Sequence, residues 1–397
     1  MSPLTQYLSE HHYPLQLVDG QLTGPGAEFL QAQAHASRFM LLGEEHGVGS
    51  NLEFALALFN AIQPLGYTHY VTEIGPISAT QFNRMAREAE TLAAFQAFYT
   101  QYPFSVPFAW LEEEVHLHQA VCASAPHDAQ PIIGIDQEFI FSPQWHLDTL
   151  RAACTDQAWQ NTLGSWVDLE RQANHALANG TPPDQLTSFM NRPLPEGWTT
   201  LRDFFTAQNN SDALAIMDAL QASHQIYMHY AHKEYYDNNH VRGLLMRKYF
   251  YTAYQNALAT QPDARFLIKL GANHVSRGHT SMGILDIGTF IAELAAMQNA
   301  HSFHLLVLPT SGALNAWLPF LPPEFKAHPV EGDYGPEFAP LLEATPVKTG
   351  WNLYDLRLLR HRQNFWSKDR PAFKDLFLRY DAVLLMDNVR PATLLNP

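Results

Sequence analysis

The sequence predicts an α/β protein with a central, mostly parallel sheet flanked by helices. Short apolar runs bounded by turn residues alternate with segments of helical periodicity, which is the pattern of parallel strands joined by helical crossovers. The chain has 397 residues, of which 46% are hydrophobic and 12% aromatic, so it can bury a large core. The runs predicted as strands are residues 37–42, 68–72, 131–135, 265–270, 301–308 and, as a sixth candidate, 382–386.

Helical patterns occupy most of the chain between these strands. No strand pattern is found from about 141 to 261, so this stretch is predicted to be a helical insertion within a single α/β domain of residues 1–397. It should carry one long helix from about 211 to 259. Residues 309–346 are rich in Pro and Gly and are predicted to be irregular. The other predicted helices cover residues 51–62, 78–98 and 110–121.

Charge and composition narrow the classes of partner. The formal net charge is -15, which argues against a basic surface for nucleic acid and against binding to an anionic membrane. No apolar run approaches the ~20 residues of a spanning helix, and the N-terminus lacks the pattern of a signal peptide. We therefore expect a cytoplasmic protein with a small-molecule substrate and no nucleic-acid or membrane partner. An exported form without its leader, and the oligomeric state, stay open. Cys122 and Cys154 are predicted to be buried thiols.

Polar clusters follow four of the predicted strands. Because the carboxyl ends of parallel strands meet at one edge of a sheet, these clusters should converge there. A histidine flanked by carboxylates can act as a general base, since the carboxylate fixes its tautomer and stabilises the imidazolium. Such residues also cap helices, but four clusters on one edge favour a functional site. The clusters are Gly43-Glu44-Glu45-His46-Gly47, Glu73-Ile74-Gly75-Pro76, Asp136-Gln137-Glu138 and Gly271-Ala272-Asn273-His274.

A metal site is an alternative interpretation of the same residues. Glu44, His46, Glu73 and His274 offer nitrogen and oxygen ligands that suit a divalent transition ion. Their spacing is not the H-E-x-x-H of a helical zinc site, so the sequence carries no metal signature.

These residues lie within a wider family resemblance. The segments that carry it cover most of the chain, and their order and spacing resemble the erythromycin esterase-like superfamily, which also includes ChaN-like haem-binding proteins and the Tiki/TraB proteins. The first segments are Leu42-Gly43-Glu44-Glu45-His46-Gly47, Glu53-Phe54, Leu65-Gly66-Tyr67 and Val71-Thr72-Glu73. The later ones are Trp110 with Glu114-Val115, Gly134-Ile135-Asp136, Arg242 with Met246, Asn273-His274-Val275 with Met282-Gly283, and Tyr380-Asp381-Ala382-Val383. One residue, Glu45, separates Glu44 from His46, where the esterase pattern has two; this spacing is nearer to the ChaN-like and Tiki/TraB form.

The resemblance implies a hydrolase of an ester or amide bond. His46 would activate a water or carry a proton with Glu44 and Glu73 beside it, and His274 would be the second histidine of the pocket. Arg242 would bind an anionic group or a developing oxyanion. An esterase-like enzyme would need no cofactor. The alternatives are a ChaN-like haem- or metal-binding protein and a Tiki-like protease with a divalent metal. Supporting roles around the site are implied for Glu45, Glu114, Asp136 and Asn273.

Two further clusters lie on predicted helices. Pairs of Glu and His four residues apart are typical of an exposed helix face, with a metal site as the less favoured interpretation. Interleaved histidines and tyrosines could line a pocket or, in a ChaN-like protein, approach haem iron; packing of the aromatic residues on the sheet is favoured. The pairs are Glu112 with His116 and Glu114 with His118. The interleaved residues are His224, Tyr227, His229, Tyr230, His232, Tyr235, Tyr236 and His240.

Overall fold

A large sheet forms the centre of the protein in the computed structural model. Among the described residues it has nine strands: β1 (His12–Val18), β2 (Gln21–Thr23), β3 (Phe39–Glu44), β4 (Tyr67–Thr72), β5 (Ile132–Gly134), β6 (Arg265–Gly271), β7 (Ser302–Pro309), β10 (Trp351–Asp355) and β11 (Ala382–Met386). A separate ribbon pairs β8 (Ala313–Leu314) with β9 (His328–Pro329). The structure describes residues 3–108, 110–181, 185–315, 327–330, 334–345, 350–368 and 370–395.

The sheet is mostly parallel. The strand order is β2-β1-β10-β11-β7-β3-β6-β4-β5, and the strands from β11 to β5 run parallel to one another. The strands β10, β1 and β2 extend one side as an antiparallel meander. The predicted fold class is therefore confirmed, and so are all six predicted strands, with ends that differ by up to two residues.

Helices cover both faces of this sheet. They are α1 (Pro3–Glu10), α2 (Pro25–Ala36), α3 (Gly49–Ile62), α4 (Pro76–Met85), α5 (Thr91–Gln101), α6 (Glu112–Ala123), α7 (Pro143–Ala153), α8 (Gln157–Ala178), α9 (Trp198–Ala207), α10 (Ser211–Ala231), α11 (Tyr235–Thr260), α12 (Ala272–Val275), α13 (Ile287–Met297), α14 (Ala339–Ala344), α15 (Gln363–Trp366) and α16 (Pro371–Arg379). Between β5 and β6 the described residues form helices and contain no strand.

Two cores fill the space between sheet and helices, and β3 shows how the sequence divides them. Met40 and Leu42 pack into the core under α2, α3, α5 and α6, whereas Phe39 and Leu41 pack into the core under α11, α13 and α16. This alternation follows from the two-residue period of a strand. A third core lies among α7, α8, α9 and α10, within the helical region.

The three strands on the antiparallel side of the sheet, β1, β2 and β10, were not predicted from the sequence. The strand β1 contains Pro14, has a mixed polar sequence and is only partly buried, so it lacks the apolar run that marks the parallel strands. The strand β10 lies just beyond the Pro- and Gly-rich region predicted to be irregular. Within that region the described residues form β8, β9 and α14, and residues 316–326, 331–333 and 346–349 lie outside the described part.

The prediction of one long helix over 211–259 is wrong. The helix is interrupted between α10 and α11, where Lys233 adopts a left-handed φ of 64°. The N–H groups of Lys233 and Glu234 bond back to the carbonyls of Tyr230 and His229, which is how a helix C-terminus satisfies its last carbonyls. The single helix predicted over 78–98 is likewise two helices, α4 and α5.

Two smaller expectations concern cysteine and membrane segments. Cys122 and Cys154 are both buried and unbridged, as predicted. Within the described ranges, none of the helices combines the length and apolarity needed to cross a bilayer.

The register of the parallel strands brings their carboxyl ends level. Glu44 at the end of β3 pairs with Gly271 at the end of β6, and Thr72 at the end of β4 pairs with Gly134 at the end of β5. A Cβ on Gly134 would lie 2.3 Å from the carbonyl oxygen of Gly75, so only glycine permits this approach. The polar clusters therefore meet at one edge, as the sequence predicts.

We expect Gly134→Ala to destabilise the protein by about 1–3 kcal/mol, because the methyl group meets rigid backbone. The measurement is the urea midpoint at constant m-value. Gly164→Ala, on α8, is the matched control, since a Cβ there would make only ordinary contacts with the Arg151 side chain of α7 and should add roughly 0.5–1 kcal/mol of stability. Equal stability of the Gly134 variant and wild type would contradict the tight approach of the two strand ends.

Candidate active site

The carboxylate of Glu73 lies at the centre of the edge where the strands end. It is buried, and its Oε2 accepts a 2.7 Å hydrogen bond from the backbone N–H of Gly271. Its Oε1 accepts a 2.9 Å hydrogen bond from Arg242 Nη2 and lies 3.4 Å from His274 Nε2. His46 Nε2 is 3.8 Å from Oε2. The Glu73 carboxylate therefore faces four groups, which come from β6, α11, α12 and the segment after β3.

His46 follows β3 and is held on two sides. Its Nδ1 lies 3.2 Å from Glu44 Oε1, and its ring packs against Phe108 with centroids 4.5 Å apart. Because an ionised carboxylate can only accept, the neutral ring carries its proton on Nδ1 and has Nε2 as its basic nitrogen. A Cβ on Gly271 would lie 3.0 Å from Nε2, so glycine at that position leaves room for the imidazole.

His274, on the short helix α12, is clamped between two carboxylates. Its Nδ1 lies 2.7 Å from Asp286 Oδ2, and its Nε2 faces Glu73. Asp286 also caps α13, because its Oδ1 accepts from the N–H of Ile287. The orientation of His274 is therefore tied to the start of α13, a link that the sequence analysis missed. An Asp directly before an apolar helix was the available signal.

Arg242 crosses from α11 to the ends of β4 and β5. Its Nε and Nη2 donate to the two carboxylate oxygens of Asp136 at 2.8 and 2.5 Å, and Nη2 also donates to Glu73. This bidentate geometry fixes the plane of the guanidinium. The third nitrogen, Nη1, does not donate to either of these two carboxylates.

A buried ion cluster lies behind His46. Lys269 Nζ is 2.7 Å from Glu44 Oε1 and 3.1 Å from Glu114 Oε2, and the Tyr70 hydroxyl donates to Glu114 Oε1 at 3.1 Å. All four side chains are inaccessible or nearly so. Lys269 was not predicted from the sequence, although a lysine inside the apolar run of β6 is a signal, because a buried lysine requires a buried counter-charge.

The ionisable groups at this edge of the sheet shift one another's pKa values. Burial raises the pKa of Glu73, but His274, His46 and Arg242 outweigh it and hold that pKa well below its usual range. Burial lowers the pKa of His274, but the charge of Glu73 outweighs it and raises the pKa to about 10. Burial also opposes protonation of His46, yet its hydrogen bond to Glu44 and the charge of Glu73 raise its pKa. His274 is therefore an imidazolium at neutral pH, and His46 is a stronger base than an ordinary histidine.

A cavity of about 430 Å³ opens beside these groups. Aromatic and aliphatic side chains make up most of its wall, while His46, Glu73 and Arg242 lie at its polar end. His274 does not line it, because Glu73 stands between His274 and His46. The other lining residues are Pro107, Phe108, Asp136, Gln137, Phe139, Ile140, Phe141, Tyr227, Tyr230 and Asn238.

The supporting residues predicted from the sequence fall into two groups. Asp136 contacts Arg242, and Glu114 reaches Glu44 through Lys269. Glu45 and Asn273 are exposed, and the side-chain oxygen of Asn273 accepts from Ser281 rather than from a group of the site.

Two predictions about helical clusters are corrected. Glu114 and His118 are buried, 3.5 Å apart, and do not form an exposed helix face. Burial and the charge of Lys269 lower the pKa of His118 to about 3, so this histidine is neutral. The four tyrosines considered in the sequence do not pack on the sheet as a stripe: Tyr227 and Tyr230 line the cavity, and Tyr230, Tyr235 and Tyr236 are all more than half exposed.

The four residues considered as metal ligands form ion pairs or hydrogen bonds with other groups of the protein. Glu44 is paired with Lys269, and Glu73 with Arg242 and the N–H of Gly271. Across the ranges that the structure describes, no group of three or more His, Cys, Asp or Glu side chains is arranged to hold a metal ion. This donor set does not fit a divalent cation, since a fixed guanidinium already occupies the central carboxylate. A haem site stays a prediction.

The chain has an erythromycin esterase-like fold. No protein-family model and no curated protein sequence matches it. A histidine-to-asparagine mutant of the erythromycin esterase EreC in its open conformation has a TM-score of 0.61 and 14% identity, over 97% of this chain and 100% of that one. A Bacillus cereus protein solved as a structural-genomics target has a TM-score of 0.62 and 13% identity, over 98% of both chains. A succinoglycan biosynthesis protein has a TM-score of 0.61 and 12% identity, over 99% and 98%. Likeness to ChaN-like and Tiki/TraB proteins stays a prediction.

We expect His274 to remain protonated at neutral pH and to titrate near pH 10 in histidine-labelled protein observed by NMR. Glu73→Gln should lower this pKa by roughly 1–3 units, because it removes the facing charge. Since His titrates near 6.5 in an unfolded chain, the raised pKa stabilises the fold fully below about pH 6.5, and that contribution is lost as the pH rises towards 10.

Glu343→Gln is the control for this titration. Glu343 is an exposed carboxylate paired with Arg370, and its removal should leave the His274 signal unchanged. A His274 that is neutral at pH 7 in the wild type would refute the assigned charge distribution.

Proposed function

We propose that this protein is a hydrolase that cleaves an ester or amide bond with a water activated by His46. The observation that carries the proposal is an imidazole of raised basicity, oriented by Glu44, at the polar end of a largely apolar cavity. The erythromycin esterase-like fold supports the reaction class.

The geometry suggests how the reaction proceeds. His46 Nε2 takes a proton from water as the water oxygen bonds to the substrate carbonyl carbon. The carbonyl oxygen becomes an oxyanion that Arg242 Nη1 stabilises, since the other two donor nitrogens are held by Asp136 and Glu73. The C–O or C–N bond then breaks, and the imidazolium of His46 returns its proton to the leaving alcohol or amine.

Glu73 and His274 act on this step without touching the bond that breaks. Glu73 stabilises the imidazolium that forms on His46, because its carboxylate stays ionised throughout the ordinary pH range. His274 keeps Glu73 charged and in place, and Asp286 keeps His274 in place. These are the roles that a buried carboxylate and its partners play in other histidine-based hydrolases.

The cavity wall indicates the kind of substrate. An apolar group of the substrate would be covered by the side chains of Phe108, Phe139, Ile140, Phe141 and Tyr227. The fixed cation in the wall near His46 is Arg242. We therefore propose an uncharged ester or amide whose apolar part fills most of the 430 Å³.

His46→Ala should lower kcat/KM by at least about 100-fold on an ester found by screening a panel with apolar acyl or alcohol groups, because general-base catalysis is removed. Circular dichroism should show an intact fold, since His46 is not part of either core.

The matched control is His301→Ala. His301 is exposed and precedes β7, at the opposite end of the parallel strands. It should keep wild-type turnover. Equal turnover of the His46 variant and the wild type would rule out His46 as the base.

A further inference from the structure

The charge behind the site suggests a role for residues that never reach the cavity. We propose that Lys269 and Glu114 are positioning residues that set, through Glu44, how strongly His46 holds its proton. Lys269 lies on β6 and Glu114 on α6. Their consequence for turnover rests on the proposed function, whereas their effect on the imidazole can be measured without a substrate.

One oxygen atom of Glu44 is shared by two donors, an imidazole and an ammonium group. Glu44 Oε1 is 3.2 Å from His46 Nδ1 and 2.7 Å from Lys269 Nζ. Both contacts compete for the negative charge of the same atom. Lys269 is buried, so the competition is not weakened by water as it would be on the surface.

Glu114 balances Lys269 from the other side. Its Oε2 is 3.1 Å from Lys269 Nζ, and its Oε1 accepts from the Tyr70 hydroxyl. The remaining titratable neighbour is His118, 3.5 Å from Oε1, which is neutral. The ion-paired set behind His46 is thus Glu44, Lys269 and Glu114, and with both carboxylates ionised it carries a net charge of one negative unit.

Each member depends on the others for its own charge. Burial opposes the cationic form of Lys269, but Glu114 and Glu44 outweigh it and raise its pKa well above the ordinary value. Burial outweighs the opposing charge of Lys269 and leaves the pKa of Glu114 raised. Without Lys269, Glu114 would take up a proton, since an unpaired buried carboxylate is unfavourable.

Opposite effects on His46 follow from this arrangement. Glu114→Gln keeps the shape of the side chain but leaves Lys269 to draw on Glu44 alone, so Glu44 holds the proton of His46 less strongly. Lys269→Met frees Glu44 Oε1 for His46. In the Lys269→Met background Glu114 is already neutral, so Glu114→Gln should have no further effect.

The experiment measures the pKa of His46 by NMR in histidine-labelled protein, with the signal assigned by its loss in His46→Gln. We expect Glu114→Gln to lower this pKa by about one unit and Lys269→Met to raise it by a similar amount. The double variant should match Lys269→Met. Glu170→Gln is the control: this equally buried carboxylate pairs with Arg192 in the helical region and should leave His46 unchanged.

The outcomes separate this proposal from the proposed function. Shifts in the stated directions support it even if the screened panel contains no substrate. Unchanged titration of His46 in both single variants would overturn it, even if the protein proves to be an ester hydrolase. If a single variant fails to fold, the double variant decides, because replacing a buried ion pair by neutral groups is often tolerated. Its His46 pKa must then exceed the wild-type value, and an equal or lower value would overturn the proposal.

Discussion

The burial of the Glu73 carboxylate is the interaction on which the rest of the site depends. A lone carboxylate in this position would be costly, and a buried charge persists only when it is paired and hydrogen-bonded. Glu73 meets this condition with a backbone N–H from the end of β6, a guanidinium from α11 and an imidazolium from α12. Two separate segments of the chain, α11 and residues 271–274, must therefore pack against Glu73 before its charge is stable. The same assembly places the His46 imidazole beside the Glu73 carboxylate.

Around Glu73 the ionised groups alternate in sign. Asp136 compensates Arg242, and Asp286 compensates His274, so each cation beside Glu73 has a second carboxylate behind it. The cluster of Lys269, Glu44 and Glu114 repeats this arrangement behind His46. The result is a preorganised field in which His46 is the group whose proton can move at neutral pH, while its neighbours keep fixed charges.

The sequence predicts the fold and part of this site for clear physical reasons. The parallel strands are buried on both faces, so each is a short apolar run whose end is visible, and the polar residues after it must meet at one edge. His46, Glu73, Asp136 and His274 could be found in that way. Arg242 lies on a helix, where no such rule applies, and only the family resemblance pointed to it.

Other features could not be predicted, because they depend on pairing between distant positions. Lys269 and Glu44 are 225 positions apart, and Asp286 contacts His274 only because α13 begins where it does. The break between α10 and α11 was missed because Lys233 takes a left-handed conformation that usually marks a glycine. Asn273 is exposed and bonds to Ser281 rather than to a group of the site, whereas Glu45 is exposed and interacts with His46 and Glu44 through its charge.

The most direct test of the account compares two titrations of one protein. If neutral His46 is the base, the acidic limb of kcat/KM must follow the protonation of that imidazole in the free enzyme. The account predicts that the kinetic midpoint and the NMR midpoint of His46 agree within about half a unit. It also predicts that both lie above the ordinary histidine value. A kinetic midpoint that is independent of the His46 titration would contradict it.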